Sequence, residues 1–473
     1  MTTPPSAPLL DQFAAIVGGA HVLRDPNDQV PYLREWRDLY RGVTPIVLLP
    51  GSTEEVSAIL RLANETGTAI VPQAGNTGLV GAQIPDQTGQ QVVMSLRRMN
   101  RIRDIDPVDN SMIAEAGSIL ADIHSAADEV GRIFPLSLAA EGSCRIGGNI
   151  SSNAGGINVL AYGNTRQLVL GLEVVLADGR IWNGLRRLKK DNTGYDLKQL
   201  FIGAEGTLGV ITAAVLKLFP KPTDQAAALI AVQSPADAVA LLNLMQDRSG
   251  GRLTAFELMA ALGVDFAVRH AQAVLPFVDR HPWYVLAELS GGEPSGTLMG
   301  TMETILGEAM EQGLVLDAVP AASEAQRRAF WHMRESMSEV QKYEGISIKN
   351  DISVPVSRIP HFLEEASAAV MKLVPGCRPV PFGHLGDGNI HFNISQPVGG
   401  DGAAYLAQWD AMTSLVDEIV LAHGGSISAE HGIGRMKRHK MAAIKSDVEL
   451  QMMQDLKRLF DPRGILNPGN MLP

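Results

Sequence analysis

Three glycine-rich segments, in a fixed order and each beside an apolar run, constrain the fold of this chain more than any other feature. They are PQAGNTGLVG at 72–81, GSCRIGGNISSNAGG at 142–156 and FIGAEGTLGVI at 201–211. Glycine allows positive φ and a close approach of the backbone to a ligand. Successive N–H groups in such loops can therefore converge on an anion such as a diphosphate. The first segment ends a βαβ start: a short buried strand at 46–49, Pro50-Gly51, an N-cap Ser52 with Glu55 three residues on, a helix to about Glu65, and a strand over 68–72. It is not G-x-G-x-x-G, so a Rossmann dinucleotide site does not follow. Further strands are expected at 91–96, 111–116, 168–176 and 207–218, with a helix around 119–130, and Lys221-Pro222 closes the region.

Beyond it the texture changes. Residues 225–375 alternate strands (227–232, 283–289, 346–354) with helices (236–247, 299–312, 323–343, 360–373), the pattern of an open α/β sheet covered by helices. A length of 473 residues calls for two or three domains. The net charge of −11, from 40 basic and 51 acidic residues, argues against nucleic acid or an anionic membrane surface as partner. No uncharged apolar run approaches the roughly 20 residues that span a bilayer. Cys144 and Cys377 are too few and too distant for a disulfide framework, and no basic residue precedes Arg24 to open a signal or transit peptide. A soluble, cytoplasmic protein is expected.

The stretch PFGHLGDGNIHFNI at 381–394 carries the chemistry. With Asp387-Gly388 in the two turn positions of a hairpin, His384 falls opposite His391, their Cβ atoms roughly 5 Å apart. That spacing suits two imidazoles on one metal ion, with Asn393 on the same face. SAEHGIG at 428–434 adds Glu430 as a carboxylate ligand and His431 as a spare base. Two histidines and one carboxylate leave positions open for substrate. Asp387 reads as a turn residue, not a ligand. On the helix predicted over 323–343, Arg334 and Ser338 share a face, and arginine is the natural fork for a carboxylate. Arg327 and Arg328 read as solvated helix charges, and His423 and His439 as exposed. Lys349 interrupts an otherwise apolar strand, where a cation is costly to bury.

Taken in order, PQAGNTGLVG, GSCRIGGNISSNAGG, KDNTGYDLKQLFIGAEGTLGVIT, GHLGDGNIHFNI, SAEHGIG and DPRGILNPGNML resemble the FAD-linked 2-hydroxyacid dehydrogenases of the vanillyl-alcohol-oxidase-type flavoprotein superfamily. The resemblance runs from about Val43 to Pro473 and is greatest to the D-2-hydroxyglutarate dehydrogenases. It implies an α+β fold: an N-terminal segment 1–42, an FAD-binding domain of two α+β subdomains over 43–222, an α/β cap (substrate) domain over 223–458 with the metal site, and a C-terminal tail 459–473 returning to the FAD domain.

It also implies the site residues. Pro72, Gln73, Ala74, Gly75, Asn76, Thr77, Gly78 and Leu79 would form the pyrophosphate loop. Gly142, Ser143, Gly147, Gly148, Asn149, Asn153, Gly155 and Gly156, then Glu205, Gly206, Gly209 and Ile211, would wrap the rest of the cofactor, with Asn467 reaching it from the tail. Asn76 stands where covalent relatives have a histidine, so FAD is expected to be non-covalent. Arg334, with Ser338, would take the C1 carboxylate of the substrate and Lys349 its distal carboxylate, with Tyr195 a further pocket residue. His384, His391 and Glu430 would hold a divalent metal, with zinc favoured. His431 would be the general base and Asn393 would hold the hydroxyl or carboxylate while hydride passes from Cα to flavin N5. The expected reaction converts D-2-hydroxyglutarate to 2-oxoglutarate. D-Lactate, D-malate or glycolate are alternative substrates, and a non-catalytic flavin-binding subunit of a larger complex is the alternative role. No motif chooses among an electron-transfer flavoprotein, a quinone and O₂ as the oxidant of the flavin. A homodimer is expected.

Overall fold

The computed structural model describes residues 5–473, and the chain divides into two units. The first contains the residues up to Gly155, Asn164–Lys221 and His431–Pro473; the second contains Gly156–Gly163 and Pro222–Glu430. Residues from His431 to 458, expected in the cap domain, thus belong to the first unit, and Gly156, expected in the FAD-binding domain, belongs to the second. The segment up to 42 belongs to the first unit rather than standing alone.

In the first unit, β1 (Val22–Leu23), β2 (Val47–Leu48), β3 (Ile70–Gln73) and β4 (Val92–Ser95) form one sheet in the order β1-β2-β4-β3. Its β2-β4 and β3-β4 pairs are parallel. Seven more strands follow: β5 (Ile102–Asp106), β6 (Ser111–Glu115), β7 (Arg132–Ile133), β8 (Val169–Val175), β9 (Ile181–Gly184), β10 (Val210–Lys217) and β11 (Phe219–Pro220). They make an antiparallel sheet ordered β5-β6-β10-β8-β9 and a small β7-β11 pair. The helix Thr53–Thr66 between β2 and β3 is capped as its sequence predicts: Ser52 Oγ accepts from the Glu55 amide at 3.2 Å. The C-terminal tail lies along β3, where Ile70 N donates to Ile465 O and Asn467 N to Ile70 O, both at 2.8 Å.

The second unit is a seven-stranded sheet of β12 (Asp224–Val232), β13 (Leu253–Ala260), β14 (Trp283–Gly291), β15 (Asp317–Pro320), β16 (Ser347–Ser353), β17 (Arg378–His384) and β18 (Asn389–Ser395). The order is β15-β12-β14-β13-β17-β18-β16 and every neighbouring pair is antiparallel. The expected open α/β sheet is therefore corrected. Strands β12 and β13 are joined by a helix, but β14 lies between them. Strands β14 and β15 are likewise separated by β12. These are split βαβ units, as in ferredoxin-like folds. Strand–helix alternation is the same in both architectures, and only non-local pairing separates them.

The sheet has two different faces. Ile230, Phe256, Leu258, Ile348, Ile352, Ile390, Phe392 and Ile394 bury one of them under helices that include Pro235–Arg248, Thr297–Glu311 and Ile359–Leu373. On the other, Leu229, Met259, Leu286 and Phe382 pack against Val264 of the helix Ala261–His270 and against Phe330, Met333 and Met337 of the helix Glu324–Val340. Alternation along the strands puts Glu257, His384, His391, Asn393, Lys349 and Asp351 on that second face.

The hairpin register also differs from expectation. The turn between β17 and β18 spans Leu385–Gly388, so His384 pairs with Asn389 and His391 with Phe382. Lengthening the loop by two residues slides the register but keeps every side chain on its face, because the strand period is two. The imidazoles remain neighbours on the diagonal, their ring centroids 5.6 Å apart. Gly388 closes this turn at φ +86°, and a Cβ there would collide with the Val354 carbonyl oxygen. Gly388→Ala is expected to destabilise the second unit by about 2–4 kcal/mol, combining a strained φ with a backbone clash. Urea unfolding of the purified variant measures it, and an unchanged midpoint would contradict the clash.

Candidate active site

The centre of the site is Glu257 on β13, fully buried, which faces His384 across the β13-β17 pair. Its Oε1 lies 2.7 Å from His384 Nδ1, and its Oε2 accepts from Arg334 Nε, also at 2.7 Å. Burial opposes the charge on Glu257, yet His384 and Arg334 outweigh it and hold the carboxyl at about 2. Burial likewise disfavours the His384 imidazolium, but Glu257 and Glu430 lift it to about 10. With Nδ1 engaged by Glu257, His384 turns Nε2 to Glu430 Oε1 at 3.5 Å. His391, desolvated, drops to about 4 and stays neutral. Burial works against ionising Glu430, and hydrogen bonding and charge from His384, then His391, bring its carboxyl below the ordinary value.

His384, His391 and Glu430 each present a ligand atom within 4.8 Å of the others. Two imidazoles and a carboxylate are a donor set for a divalent ion with open positions. The groups behind them match that use. Glu257 orients His384, and Asp351 lies 3.8 Å from His391 Nδ1 while accepting from the Glu430 amide at 2.9 Å. Carboxylates behind ligating histidines fix their orientation and raise their basicity. An ion held by these three residues would take the place of the His384 Nε2 proton, so its binding would release that proton. Asp387 stays outside the ligand set: it bonds the Asn389 amide at 3.1 Å, and burial pushes its carboxyl to about 6.

The cations come from the helix Glu324–Val340 and from β16. Arg334 is buried, with its guanidinium 4.9 Å above the Phe382 ring. Among the described residues only Glu257 bonds it, through Nε, which leaves the terminal amino groups for a ligand. Lys349 sits opposite Asn393 across the β16-β18 pair, and its Nζ donates to Ser338 O at 2.8 Å, with Ser338 Oγ at 3.4 Å. Buried Asn393 makes no side-chain hydrogen bond to another described residue. Arg327 is not a solvated charge: it pairs with Glu288 at 2.8 Å, and Trp331 Nε1 bonds the same carboxylate. His423 pairs with Glu365 at 2.9 Å, and Tyr195 is 93% exposed rather than pocket-lining.

The predicted flavin segments meet in the first unit. Pro72 and Gln73 end β3 and residues 74–79 leave it, and Gly75 approaches the Ser143 carbonyl so closely that a Cβ would lie 2.5 Å from it. The turn at Gly142-Ser143 leads into the helix Ile146–Ser151, which carries Gly147, Gly148 and Asn149, with Asn153 and Gly155 just beyond it. A Cβ on Gly148 would touch Ala74, and one on Gly206 would touch Pro72 at 2.6 Å. Gly209 immediately precedes β10 and Ile211 is its second residue. Asn467 Nδ2 donates to Glu205 O at 2.8 Å.

Asn76, Asn153, Glu205 and Asn467 all adopt positive φ. In non-glycine residues such strain is held in place by its surroundings and clusters at ligand sites. Among the described residues, the amides from Gly75 to Leu79 donate to no protein acceptor. Consecutive unpaired N–H groups in a half-buried loop fit the diphosphate of a dinucleotide. Asn76 is spoken for: its Nδ2 donates to Pro31 O at 2.8 Å and Arg34 O at 2.9 Å. Burial raises the Glu205 carboxyl against two amide bonds from Ile433 and Gly434. What this segment offers a cofactor is therefore backbone, not the carboxylate.

Sequence reasoning missed Glu257 and Asp351. Asp351 shares the face of Lys349 two residues on, so the same alternation pointed to it. Glu257 gave no such signal, because LTAFELMA has almost no β-branched residue.

Residues 44–184 match the family described as FAD binding domain, and residues 221–471 the family described as FAD linked oxidases, C-terminal domain. A D-2-hydroxyglutarate dehydrogenase of Xanthomonas citri pv. viticola is 38% identical over 450 residues, covering 94% of this chain and 93% of that one. The mitochondrial D-2-hydroxyglutarate dehydrogenase of Bos taurus is 38% identical over 98% of this chain and 84% of its own. A D-2-hydroxyglutarate dehydrogenase of Stutzerimonas stutzeri is 36% identical over 98% of both chains. Among solved structures, p-cresol methylhydroxylase superposes with a TM-score of 0.78 at 17% identity, covering 100% of this chain and 98% of that chain. Alkyldihydroxyacetonephosphate synthase does so with 0.74 at 16%, covering 99% and 86%. At such identities the likeness establishes the fold alone, a two-domain α+β architecture; FAD binding rests on the family matched by residues 44–184.

The Glu257 bracket makes a pH-dependent contribution to stability. A carboxyl depressed to about 2 stabilises fully above its unfolded value near 4.5 and loses that contribution as pH falls toward 2. An imidazole raised to about 10 stabilises fully below 6.5 and loses it as pH rises toward 10. In chelator-stripped protein, Glu257→Gln is expected to cost about 3–5 kcal/mol between pH ~4.5 and ~6.5. The penalty should shrink on either side of that window. A penalty independent of pH in urea titrations would contradict the ionic bracket.

Proposed function

This chain belongs to the FAD-linked oxidase family, and from that premise we propose that it oxidises D-2-hydroxyglutarate to 2-oxoglutarate with non-covalent FAD and a divalent metal, zinc by its donor set. The observation that carries the substrate choice is the Lys349–Ser338 bond. It anchors an ammonium group four residues beyond Arg334 on the same helix, about 6 Å along the axis. That rise is of the order of the span between the two carboxylates of a five-carbon diacid. Arg334 suits the C1 carboxylate, because its terminal amino groups form the bidentate fork. Lys349 suits the distal one as a point charge.

Asn393, with its amide unengaged, orients the substrate hydroxyl between them. His431 takes the hydroxyl proton as the C=O bond forms and the Cα–H bond breaks with loss of its electron pair. When bound, FAD supplies the acceptor for that hydrogen and its two electrons, and the ion at His384, His391 and Glu430 supplies the Lewis acidity that eases loss of the hydroxyl proton. Non-covalent attachment is supported by the use of Asn76 as a backbone clamp. Two buried free cysteines suit the reducing cytoplasm.

Lys349→Met should weaken kcat/KM on D-2-hydroxyglutarate by about 30-fold to several thousand-fold, as expected when one partner of a desolvated charge pair is lost. Activity on D-lactate, which lacks the distal carboxylate, should change little. Arg334→Met should damage both. Equal losses on both substrates for Lys349→Met would return it to an ordinary strand lysine. Acid precipitation of the holoenzyme should leave the yellow chromophore in the supernatant; colour retained in the pellet would refute non-covalent binding.

A further inference from the structure

Glu205 is a buried carboxylate that the proposed chemistry does not use. It is 8% exposed and adopts φ +51°. That conformation is strained for a non-glycine residue, and its charge is costly to bury without partners. Its backbone is fixed on both sides: its amide donates to Ser151 O at 2.9 Å, and its carbonyl accepts from Asn467 Nδ2 at 2.8 Å. From that base the carboxylate reaches two successive amides. Oε1 accepts from Ile433 N at 2.7 Å and Oε2 from Gly434 N at 2.8 Å. Next along the chain, the Arg435 and Met436 amides donate to Val80 O at 3.0 and 3.2 Å. The turn that starts at His431 is thus pinned to the loop that leaves β3 and to the segment before β10. His431 stands two residues from the first clamped amide.

We propose that Glu205 is a positioning residue, whose carboxylate holds the turn after His431 and thereby sets the placement of that imidazole in the first unit. The proposal deepens the reading of His431 as general base and rests on it. A carboxylate can accept from both amides at once, whereas a glutamine must turn its NH₂ toward one of them. Glu205→Gln therefore frees one side of the turn with almost no change of volume. Misplacing a reacting group by about 1 Å costs on the order of 100-fold in rate.

The test is anaerobic flavin reduction by D-2-hydroxyglutarate, followed by absorbance in the purified holoenzyme. Glu205→Gln should slow reduction about 100-fold, with the metal and flavin contents and the substrate KM little changed. The limb of the kcat/KM pH profile that reports the base should shift. Glu205→Asp, which keeps the charge, should recover part of the rate. Gly432→Ala gives a second route if Glu205→Gln does not fold, since a Cβ there would meet Glu205 Oε1 at 2.5 Å; the same split between rate and KM is expected.

Loss of flavin from Glu205→Gln, with an unchanged rate per bound flavin, would overturn the proposal in favour of a cofactor role. A slow His431→Ala beside a fast Glu205→Gln would overturn positioning alone. His431→Ala at full rate would withdraw the base assignment beneath it.

Discussion

The second unit depends on one buried carboxylate held between two cations. Glu257 sits at zero exposure with Arg334 on one oxygen and His384 on the other. Such a bracket is weak evidence for stability, because taking the charges out of water offsets most of their attraction. What it gives is geometry. The guanidinium that suits a carboxylate and the imidazole that suits a metal ion are fixed to the same residue, so their separation cannot drift independently. Removing one charge strands the others in an apolar setting, which makes the arrangement all or nothing.

The sheet makes that geometry possible. Glu257, His384, His391 and Asp351 lie on four strands that are adjacent in space, β13, β17, β18 and β16, though almost a hundred residues separate the first from the next in sequence. Antiparallel pairing sets the residues in rows, and the pleat sends these four to one face while Ile348, Ile352, Ile390, Phe392 and Ile394 fill the other. The helix Glu324–Val340 then closes part of the polar face, burying Phe330, Met333 and Met337 and carrying Arg334 in among them. Rigid strands thus hold the two imidazoles, and a packed helix holds the guanidinium.

The flavin unit works through backbone instead. Close approach at Gly75 and Gly206, left-handed residues at Asn76, Asn153 and Asn467, and a row of unpaired amides leave few side chains to recognise a cofactor directly. This explains why that region was legible as motifs. A loop that works through N–H groups must spend glycines and asparagines at fixed places, and those stand out in any sequence. Side-chain networks such as Glu205 with Ile433 and Gly434 leave no such mark, because one partner is an ordinary peptide group.

By itself the sequence determined the order of the glycine-rich loops, the period-two alternation that groups His391 with Asn393, the capped helices, and the choice of His384, His391 and Glu430 as candidate ligands. All of these are local: turn chemistry, strand period and side-chain identity within a few residues. Tertiary structure alone decided the antiparallel, split arrangement of the substrate sheet, the four-residue turn after His384, the passage of the chain between units at Glu430-His431, and the role of Glu257. Strand β13 shows the physical reason. LTAFELMA is rich in helix formers, and it is a strand only because β14 and β17 pair with it and bury it on both faces, a non-local gain that outweighs propensity.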